Sequence, residues 1–451
     1  MLEKSYINIL EKTLQELEKG FNHLPKFENQ NAQDDLIPVL SEIAKKLQNN
    51  YPYFHPLYAG QMLKPAHPIA HIAYMLAMWL NPNNHSFEGG MASTEMEIIA
   101  VKNIANMFGW NNHLGHLTSG GTIANLEALY VAGKIHPKKI IVANENAHYT
   151  HERISHILKL KFKKIKAALN GEIDIDNLEK LCKKGNVGTV VVTMGTTGAG
   201  IVDPLITIIQ LQKKYEFRIH IDAAYGGFFI LSNEISDKTK EQFKAIHKAD
   251  SIVIDPHKHG LQPYGCGCII FKDNHVLKYY NHESSFTYFN DKETHIGEFS
   301  LECSRPGASA VALYATQQLL PYVKNGQFSK ILDKCVLAAN NFYELINNST
   351  SFEAYQKPVL DIVIYFPRAK TTSKISKFTQ SIYELASENN IHLALIKMDS
   401  NIFIKKFKHV KKNSATVTCL RSVFMKPEHI AWVSNIFKSL DTLYKDNCLK
   451  K

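Results

Sequence analysis

Polar residues that could take part in chemistry stand where predicted buried strands end. Asp222 ends the strand predicted over residues 217–222, and Lys258 follows the strand predicted over residues 250–255. In an open parallel sheet, ligands bind beyond the carboxyl ends of the strands. A lysine amine placed there can form an imine with a carbonyl compound, and a nearby carboxylate can keep a ring nitrogen protonated. The two residues therefore predict a binding site for a carbonyl compound that carries a basic ring.

A glycine-rich turn supplies a second part of this predicted site. Gly120, Gly121 and Thr122 directly precede a predicted helix. A helix N-terminus offers free backbone N–H groups and a positive dipole end to an anion. Taken alone, Gly-Gly-Thr before a helix is also typical of an ordinary turn. Beside Asp222 and Lys258, the turn predicts a cradle for a phosphate group.

The combination of amine, carboxylate and cradle indicates pyridoxal phosphate as the cofactor, with His148 as the flat side chain against its ring. The protonated ring of this cofactor is an electron sink that stabilises a carbanion. Two plainer interpretations stay open: Asp222 and Lys258 as an ordinary buried pair, and His148 as a residue that merely starts a helix. A metal site is not predicted, because His148, His151 and His156 lack regular ligand spacing and no acidic cluster accompanies them.

The elements that must position these residues alternate between helix and strand from about residue 90. Thr94 and Glu97 have the spacing of a capping box, which predicts a helix that opens there and ends at Gly109. Continuous apolar strands separated by helices are typical of a mainly parallel sheet covered on both faces. The fold class is therefore predicted to be α/β. Its strands are predicted at residues 139–143, 187–194, 217–222, 250–255 and 267–271.

Two further regions flank this α/β segment. Apolar residues at helical spacing predict two amphipathic helices before residue 50, which pack on their own chain or on a partner subunit. A long helix from residue 328, followed by strands at 361–366, 391–397 and 416–424, predicts a smaller C-terminal α+β domain. The predicted division is an N-terminal helical arm (1–60), a large cofactor-binding domain (61–327) and a small C-terminal domain (328–451).

Composition and charge limit the class of protein. Of 451 residues, 45% are hydrophobic and 21% are charged, which is typical of a soluble globular chain. The net charge of +10 is spread over scattered lysines, which indicates a solvated basic surface and no nucleic-acid partner. The 7 cysteines form no Cys-x-x-Cys pair and the N-terminus lacks signal-peptide features, so a cytoplasmic location is predicted. The most apolar segment is too short to span a bilayer, so no membrane partner is predicted.

Five separated motifs, in the expected order, resemble the group II pyridoxal-phosphate decarboxylases. This family includes aromatic amino-acid, glutamate, histidine and archaeal-type tyrosine/aspartate decarboxylases, and the archaeal-type branch is most similar in the last two motifs. The resemblance covers about residues 55–325. It implies a large domain with the fold type I aminotransferase-like architecture, built on a mainly parallel seven-stranded sheet. The motifs are residues 118–125 (TSGGTIAN), 147–153 (AHYTHER), 220–227 (HIDAAYGG), 255–258 (DPHK) and 304–308 (SRPGA).

The resemblance also implies roles for individual residues. Lys258 forms the imine with the cofactor, Asp222 pairs with the pyridine nitrogen, and His148 stacks on the ring. Ser304 reaches the phosphate of a neighbouring subunit, which implies a homodimer with active sites at the subunit interface. Asp255 either contacts the phosphate, where some relatives have Ser or Asn, or orients His257. The full implied set of cofactor-binding residues is Gly120, Gly121, Thr122, His148, Thr197, Asp222, Ala224, Asp255, His257, Lys258 and Ser304.

Two more residues complete the implied site. Arg421 resembles a C-terminal arginine of the family, which implies either a contact with the substrate carboxylate or an ion pair between domains. In relatives, a tyrosine on a mobile loop returns a proton to the substrate. Tyr279, Tyr280 and Tyr288 lie in a polar stretch of this chain, and Tyr288 is the favoured candidate. All three tyrosines are alternatively packing residues.

The predicted reaction is the pyridoxal-phosphate-dependent decarboxylation of an L-amino acid to an amine and carbon dioxide. A fold does not fix the reaction, so two alternatives stay open. One is another pyridoxal-phosphate reaction, such as carbon–carbon lysis or amino transfer. The other is a non-catalytic binding protein. The residues do not indicate which amino acid is the substrate.

Overall fold

The computed structural model describes residues 4–25, 36–280 and 296–448 of the protein. The helices are α1 (Lys4–Lys19), α2 (Leu36–Leu47), α3 (Pro68–Met78), α4 (Met91–Met107), α5 (Gly121–Ile135), α6 (Thr150–Ile157), α7 (Ile175–Cys182), α8 (Leu205–Tyr215), α9 (Asp237–Lys244), α10 (Gly307–Leu319), α11 (Gln327–Asn347), α12 (Thr372–Glu388), α13 (Ser400–Lys406) and α14 (His429–Cys448). The strands are β1 (Leu114–Thr118), β2 (Ile140–Asn144), β3 (Phe162–Ile165), β4 (Val187–Thr193), β5 (Arg218–Asp222), β6 (Ser251–Ile254), β7 (Gly267–Phe271), β8 (Phe352–Ala354), β9 (Ile362–Pro367), β10 (Ala394–Asp399) and β11 (Thr416–Val423).

A seven-stranded sheet with the order β1-β7-β6-β5-β4-β2-β3 forms the centre of the region that carries the predicted site. Strands β3, β2, β4, β5 and β6 pair in parallel, while β7 is antiparallel to both β6 and β1. Every residue of β4, β6 and β7 is buried, as expected for strands covered by helices on both faces. The prediction of an α/β fold with a mainly parallel sheet is confirmed.

A second, smaller sheet lies in the C-terminal part of the chain. Its four strands are antiparallel in the order β10-β11-β9-β8. Helices α11, α12 and α14 pack against it around buried aromatic residues such as Phe342, Phe352 and Tyr365. The proposed boundary at residue 328 falls at the second residue of α11. The smaller α+β unit expected after that residue is present.

The two helices expected at the N-terminus are present as α1 and α2, and neither contains a buried residue. Helix α1 packs against α3. The apolar side chains of α2 stay exposed, with Ile37 at 74% and Leu36 at 63% of full exposure. An exposed apolar face of this kind is typical of a surface that another molecule covers.

The predicted capping box at Thr94 and Glu97 is wrong. Helix α4 begins earlier, at Met91, and both residues are buried inside it. The Glu97 carboxylate instead accepts hydrogen bonds from the backbone N–H of Leu117 at 2.9 Å and from the Arg305 guanidinium at 2.6 Å. Arg305 also donates to the Leu117 carbonyl at 2.8 Å. A buried guanidinium is stabilised by a buried carboxylate. Glu97 of α4 therefore binds both β1 and Arg305.

Across the described residues, no helix is both long and apolar enough to cross a membrane. The same residues contain no group of three or more His, Cys, Asp or Glu side chains arranged to hold a metal ion.

Candidate active site

A cavity of about 280 Å³ opens where β4, β5 and β6 end and where α5 begins. The register of the sheet places Thr193 of β4 beside Asp222 of β5, and Asp222 beside Val253 of β6. Ligands of open parallel sheets bind at such strand ends. Ten of the predicted site residues line this cavity: Gly120, Gly121, Thr122, His148, Thr197, Asp222, Ala224, Asp255, His257 and Lys258.

The N-terminus of α5 forms one wall of the cavity. Its N-cap residue is Gly120, and no side chain caps the helix, so backbone N–H groups remain available for an anion. A Cβ atom at Gly121 would lie only 2.7 Å from the Asp255 carboxylate. A side chain at position 121 would therefore have to displace the Asp255 carboxylate.

The Lys258 side chain reaches the cavity and remains 22% exposed, which leaves its amine accessible to a ligand. Its Nζ lies 3.0 Å from one carboxylate oxygen of Asp255. The other Asp255 oxygen is buried and has no donor among the residues that the structure describes. His257 donates from Nδ1 to the Cys266 carbonyl at 2.8 Å, and burial lowers the pKa of its imidazole. Lys258 is thus the main cation beside Asp255, and one oxygen of that carboxylate accepts no hydrogen bond from a described residue.

Asp222 is held by two donors at the end of β5. His151 Nε2 lies 2.7 Å from its Oδ2, and the backbone N–H of Ala224 donates to its Oδ1 at 3.1 Å. Burial alone would raise the pKa of the Asp222 carboxyl, but the hydrogen bond from His151 and the charge of Lys258 hold that pKa well below its usual range. Asp222 is therefore an anion at the cavity wall.

His148 lies at the cavity wall, two residues before α6 begins. Its Nδ1 is 2.6 Å from the hydroxyl of Thr150, which fixes the orientation of the ring. Burial lowers the pKa of His148, so the imidazole is neutral near pH 7. A neutral, flat ring in a fixed orientation is suited to contact with a planar ligand.

Two of the predicted site residues do not line the cavity, and a third is not among the described residues. Ser304 is exposed and does not line the cavity; its hydroxyl accepts a hydrogen bond from Asn83 at 3.3 Å. Arg421 is buried behind the cavity wall and donates to the backbone carbonyls of Gly60, Thr197 and Gly198. Tyr288 lies outside the described residues. The alternative Tyr280 is buried and its hydroxyl donates to Glu127 at 3.2 Å, away from the cavity.

Sequence reasoning missed three residues that shape the site. His151 was considered only as a metal ligand, yet it binds Asp222. Tyr225 lines the cavity and donates to the buried Asp361 at 2.6 Å. Asp203 is fully buried and accepts hydrogen bonds from the backbone of Ile173 and Thr193 and from the Asn144 amide. The one sign of such residues in the sequence is an ionisable side chain inside or next to a run of apolar residues.

The described residues fit pyridoxal phosphate. The uncapped helix N-terminus suits the phosphate, the accessible Lys258 amine suits the aldehyde, and the ionised Asp222 suits a protonated pyridine nitrogen. The cavity is close to the lower end of the usual size range for small-molecule sites. Fold and site together define a pyridoxal-phosphate enzyme.

Comparison with known proteins identifies the family. Residues 22–367 match the model of the pyridoxal-dependent decarboxylase conserved domain, and the chain belongs to this family. It is 26% identical over 417 residues to the L-tyrosine decarboxylase of Enterococcus faecium, covering 70% of this chain and 68% of the relative. It is 29% identical over 315 residues to a probable L-tyrosine/L-aspartate decarboxylase of Methanosphaera stadtmanae, covering 68% of this chain and 77% of that relative. The protein is a pyridoxal-phosphate-dependent amino-acid decarboxylase.

Solved structures show the same fold. The crystal structure of Oryza sativa TDC with PLP and tryptamine superimposes with a TM-score of 0.78 at 16% identity, covering 97% of each chain. At this identity the likeness concerns the fold alone.

The carboxylate of Asp255 leads to a prediction about cofactor affinity. A carboxylate directly beside the α5 N-terminus repels a bound phosphate, because like charges in a buried site disfavour each other. Asp255→Asn keeps the shape and removes the charge, so we expect the dissociation constant of pyridoxal phosphate to fall about tenfold. Equilibrium dialysis with absorbance detection measures this constant. Asp237→Asn, on a side chain that is 96% exposed, is the matched control. Weaker binding by Asp255→Asn would show that the carboxylate supports the cofactor through His257 or Lys258.

Proposed function

We propose that this cavity is where the chain decarboxylates an L-amino acid, with Lys258 as the attachment point for the cofactor. The observation that carries the proposal is the convergence of the Lys258 amine, the ionised Asp222 and the α5 N-terminus on one cavity. When bound, pyridoxal phosphate accepts the electrons of the bond that breaks at the α carbon. The remaining tasks fall to residues of the chain.

Each wall of the cavity has a separate task in this proposal. Backbone N–H groups of Gly121 and Thr122 bind the phosphate and fix the position of the cofactor. Asp222 keeps a proton on the pyridine nitrogen. The imidazole ring of His148 and the methyl group of Ala224 contact the ring of the cofactor and fix its plane. Support comes from the placement of all five residues on the cavity. For the proton that returns to the α carbon, Tyr288 stays our predicted donor. The predicted contact of Arg421 with the substrate carboxylate is replaced by a supporting role, because its guanidinium donates to the carbonyls of Gly60, Thr197 and Gly198.

The test of this function is a panel of L-amino acids with detection of products by mass spectrometry. The panel includes tyrosine, tryptophan, aspartate, glutamate, histidine and lysine, and the protein is loaded with pyridoxal phosphate. We expect one or more substrates to yield carbon dioxide and an amine that keeps the α nitrogen. Absence of an amine from every substrate, or loss of nitrogen to a keto acid, would contradict decarboxylation at this site.

We further propose that the working unit is a homodimer in the cytoplasm. Ser304 is exposed and does not line its own cavity, as expected for a residue that serves a neighbouring subunit. The exposed apolar face of α2 offers a surface for such a neighbour. The cysteines at positions 182, 266, 268, 303, 335 and 419 are free thiols, which suits a reducing compartment.

Replacing Ser304 tests the dimer. If Ser304 binds the phosphate of the neighbouring subunit, Ser304→Ala removes one hydrogen bond to a charged group, and we expect cofactor to dissociate about tenfold faster. Absorbance of the cofactor retained after gel filtration measures this effect, and sedimentation gives the mass. Ser373→Ala, an exposed serine on α12, serves as control. A monomer with full activity and unchanged cofactor retention would rule out this arrangement.

A further inference from the structure

His151 and Asp222 form a buried pair at the back of the cavity. The two residues lie 71 positions apart in the chain and are joined by the 2.7 Å contact between His151 Nε2 and Asp222 Oδ2. The His151 side chain is fully buried, and that of Asp222 is 7% exposed. Asp222 lines the cavity, whereas His151 lies behind it. His151 can therefore reach a ligand only through Asp222.

The protonation state of His151 follows from its second nitrogen. His151 Nδ1 is buried and has no hydrogen-bond partner within the described parts of the chain. The nearest ring, His220, cannot serve, because its nitrogens are engaged by Ser251 and Asn125. An imidazolium would bury an N–H without an acceptor, which is unfavourable. His151 is thus neutral, with its one proton on Nε2, and this N–H donates a hydrogen bond to the Asp222 carboxylate.

A neutral donor has a different effect on Asp222 from a cation. It stabilises the ionised carboxylate and leaves its negative charge uncompensated, since the pair as a whole carries one negative charge. The second donor, the backbone N–H of Ala224, binds the other oxygen. Both oxygens are thereby fixed, so the carboxylate has a single orientation. Lys258 is the nearby cation that also favours the ionised form, and in the proposed function it is the residue that binds the cofactor.

We propose that His151 is a positioning residue that holds Asp222 ionised and correctly oriented opposite the pyridine nitrogen of the cofactor. The inference rests on the proposed function, because it uses the placement of that nitrogen at Asp222. Without the His151 donor, the buried carboxylate becomes more basic, and the proton that it shares with the ring nitrogen moves toward the carboxylate. The ring then loses positive charge and becomes a weaker electron sink.

The test uses pyridoxal phosphate labelled with 15N at the ring, bound to the full-length protein. In the unmodified protein we expect the 15N resonance of a protonated pyridine. In His151→Leu, which removes the donor, we expect the resonance to move toward that of neutral pyridine and kcat to fall at least about tenfold with KM little changed. His151→Gln is neutral and keeps an N–H donor, so we expect it to restore most of the 15N shift and of kcat. A residue that only fills space would change stability and leave the 15N resonance unaltered.

Two further measurements keep the outcomes separate. Asp222→Asn tests the placement of the ring nitrogen: if it leaves the 15N resonance unchanged, the proposed position of the cofactor is wrong. If Asp222→Asn moves the resonance and His151→Leu does not, the role of His151 alone is overturned. If His151→Leu does not fold, 15N-histidine labelling of the unmodified protein decides, with His151→Gln used for assignment. A protonated Nε2 and an unprotonated Nδ1 are expected, and a doubly protonated ring would overturn the inference.

Discussion

Replacing Lys258 with alanine is expected to lower amine formation by at least a factor on the order of 10³, even at saturating pyridoxal phosphate. The reason is that Lys258 is the accessible amine on the cavity wall, at 3.0 Å from Asp255. Steady-state kinetics with the best substrate of the amino-acid panel measure the loss. Lys238→Ala, at an exposed lysine that pairs with Glu172, should keep full activity.

Chemical trapping checks the same residue independently of activity. Borohydride reduces an imine to a stable secondary amine, so treated protein should carry one pyridoxyl group, located by peptide mapping. We expect the label on Lys258 and none in Lys258→Ala. A label on another lysine, or an alanine variant with unchanged kcat, would refute the assignment.

Glu97→Gln is expected to destabilise the folded protein by about 3–5 kcal/mol, since it leaves the charge of Arg305 buried and unpaired. The side chains of Glu97 and Arg305 are only 2% and 5% exposed, and their atoms lie 2.6 Å apart. Urea denaturation followed by circular dichroism measures the free energy of unfolding. The control is Glu16→Gln, which breaks an ion pair with Lys19 on an exposed face of α1, where about 1 kcal/mol or less is expected. If both substitutions lowered the free energy of unfolding equally, the buried ion pair would contribute no more to stability than the exposed one.

The strands that carry the site were predictable because they are continuously apolar. The predicted strand at residues 267–271 matches β7, and those ending near Thr193 and Asp222 match β4 and β5 within one residue. Strands covered on both faces leave this unbroken apolar signal in the sequence. The strand ends follow directly, and with them the positions of Asp222 and Lys258.

The edge strands β1 and β3 were not predicted, for a physical reason. Strand β3 (FKKI) carries two exposed lysines, as edge strands do when they must avoid pairing with other chains. Strand β1 (LGHLT) contains a glycine and the buried His116, whose ring contacts the buried Glu127 at 3.0 Å. Neither segment has an apolar run, and both depend on partners that are distant in sequence.

The supporting residues of the site were hidden for the same reason. His151 and Asp222 are 71 residues apart, and Tyr225 and Asp361 are 136 apart. Local patterns show that a residue is ionisable and near an apolar run, but the partner that makes its burial tolerable comes from another element. Motif resemblance identified the residues of the cavity wall, and only the structure shows what holds them.

The order of strands in the large sheet has a consequence for protein synthesis. Strand β1, which leads into the Gly120–Thr122 turn, is hydrogen-bonded among the described strands to β7 alone, with Thr118 opposite Gly267. A ribosome must therefore add about 150 further residues before β1 has its neighbour in the sheet. During that interval the turn has no fixed place relative to Asp222, and Lys258 is itself synthesised only shortly before β7. A growing chain thus cannot capture its cofactor early, and cofactor binding reports that the whole sheet has been assembled.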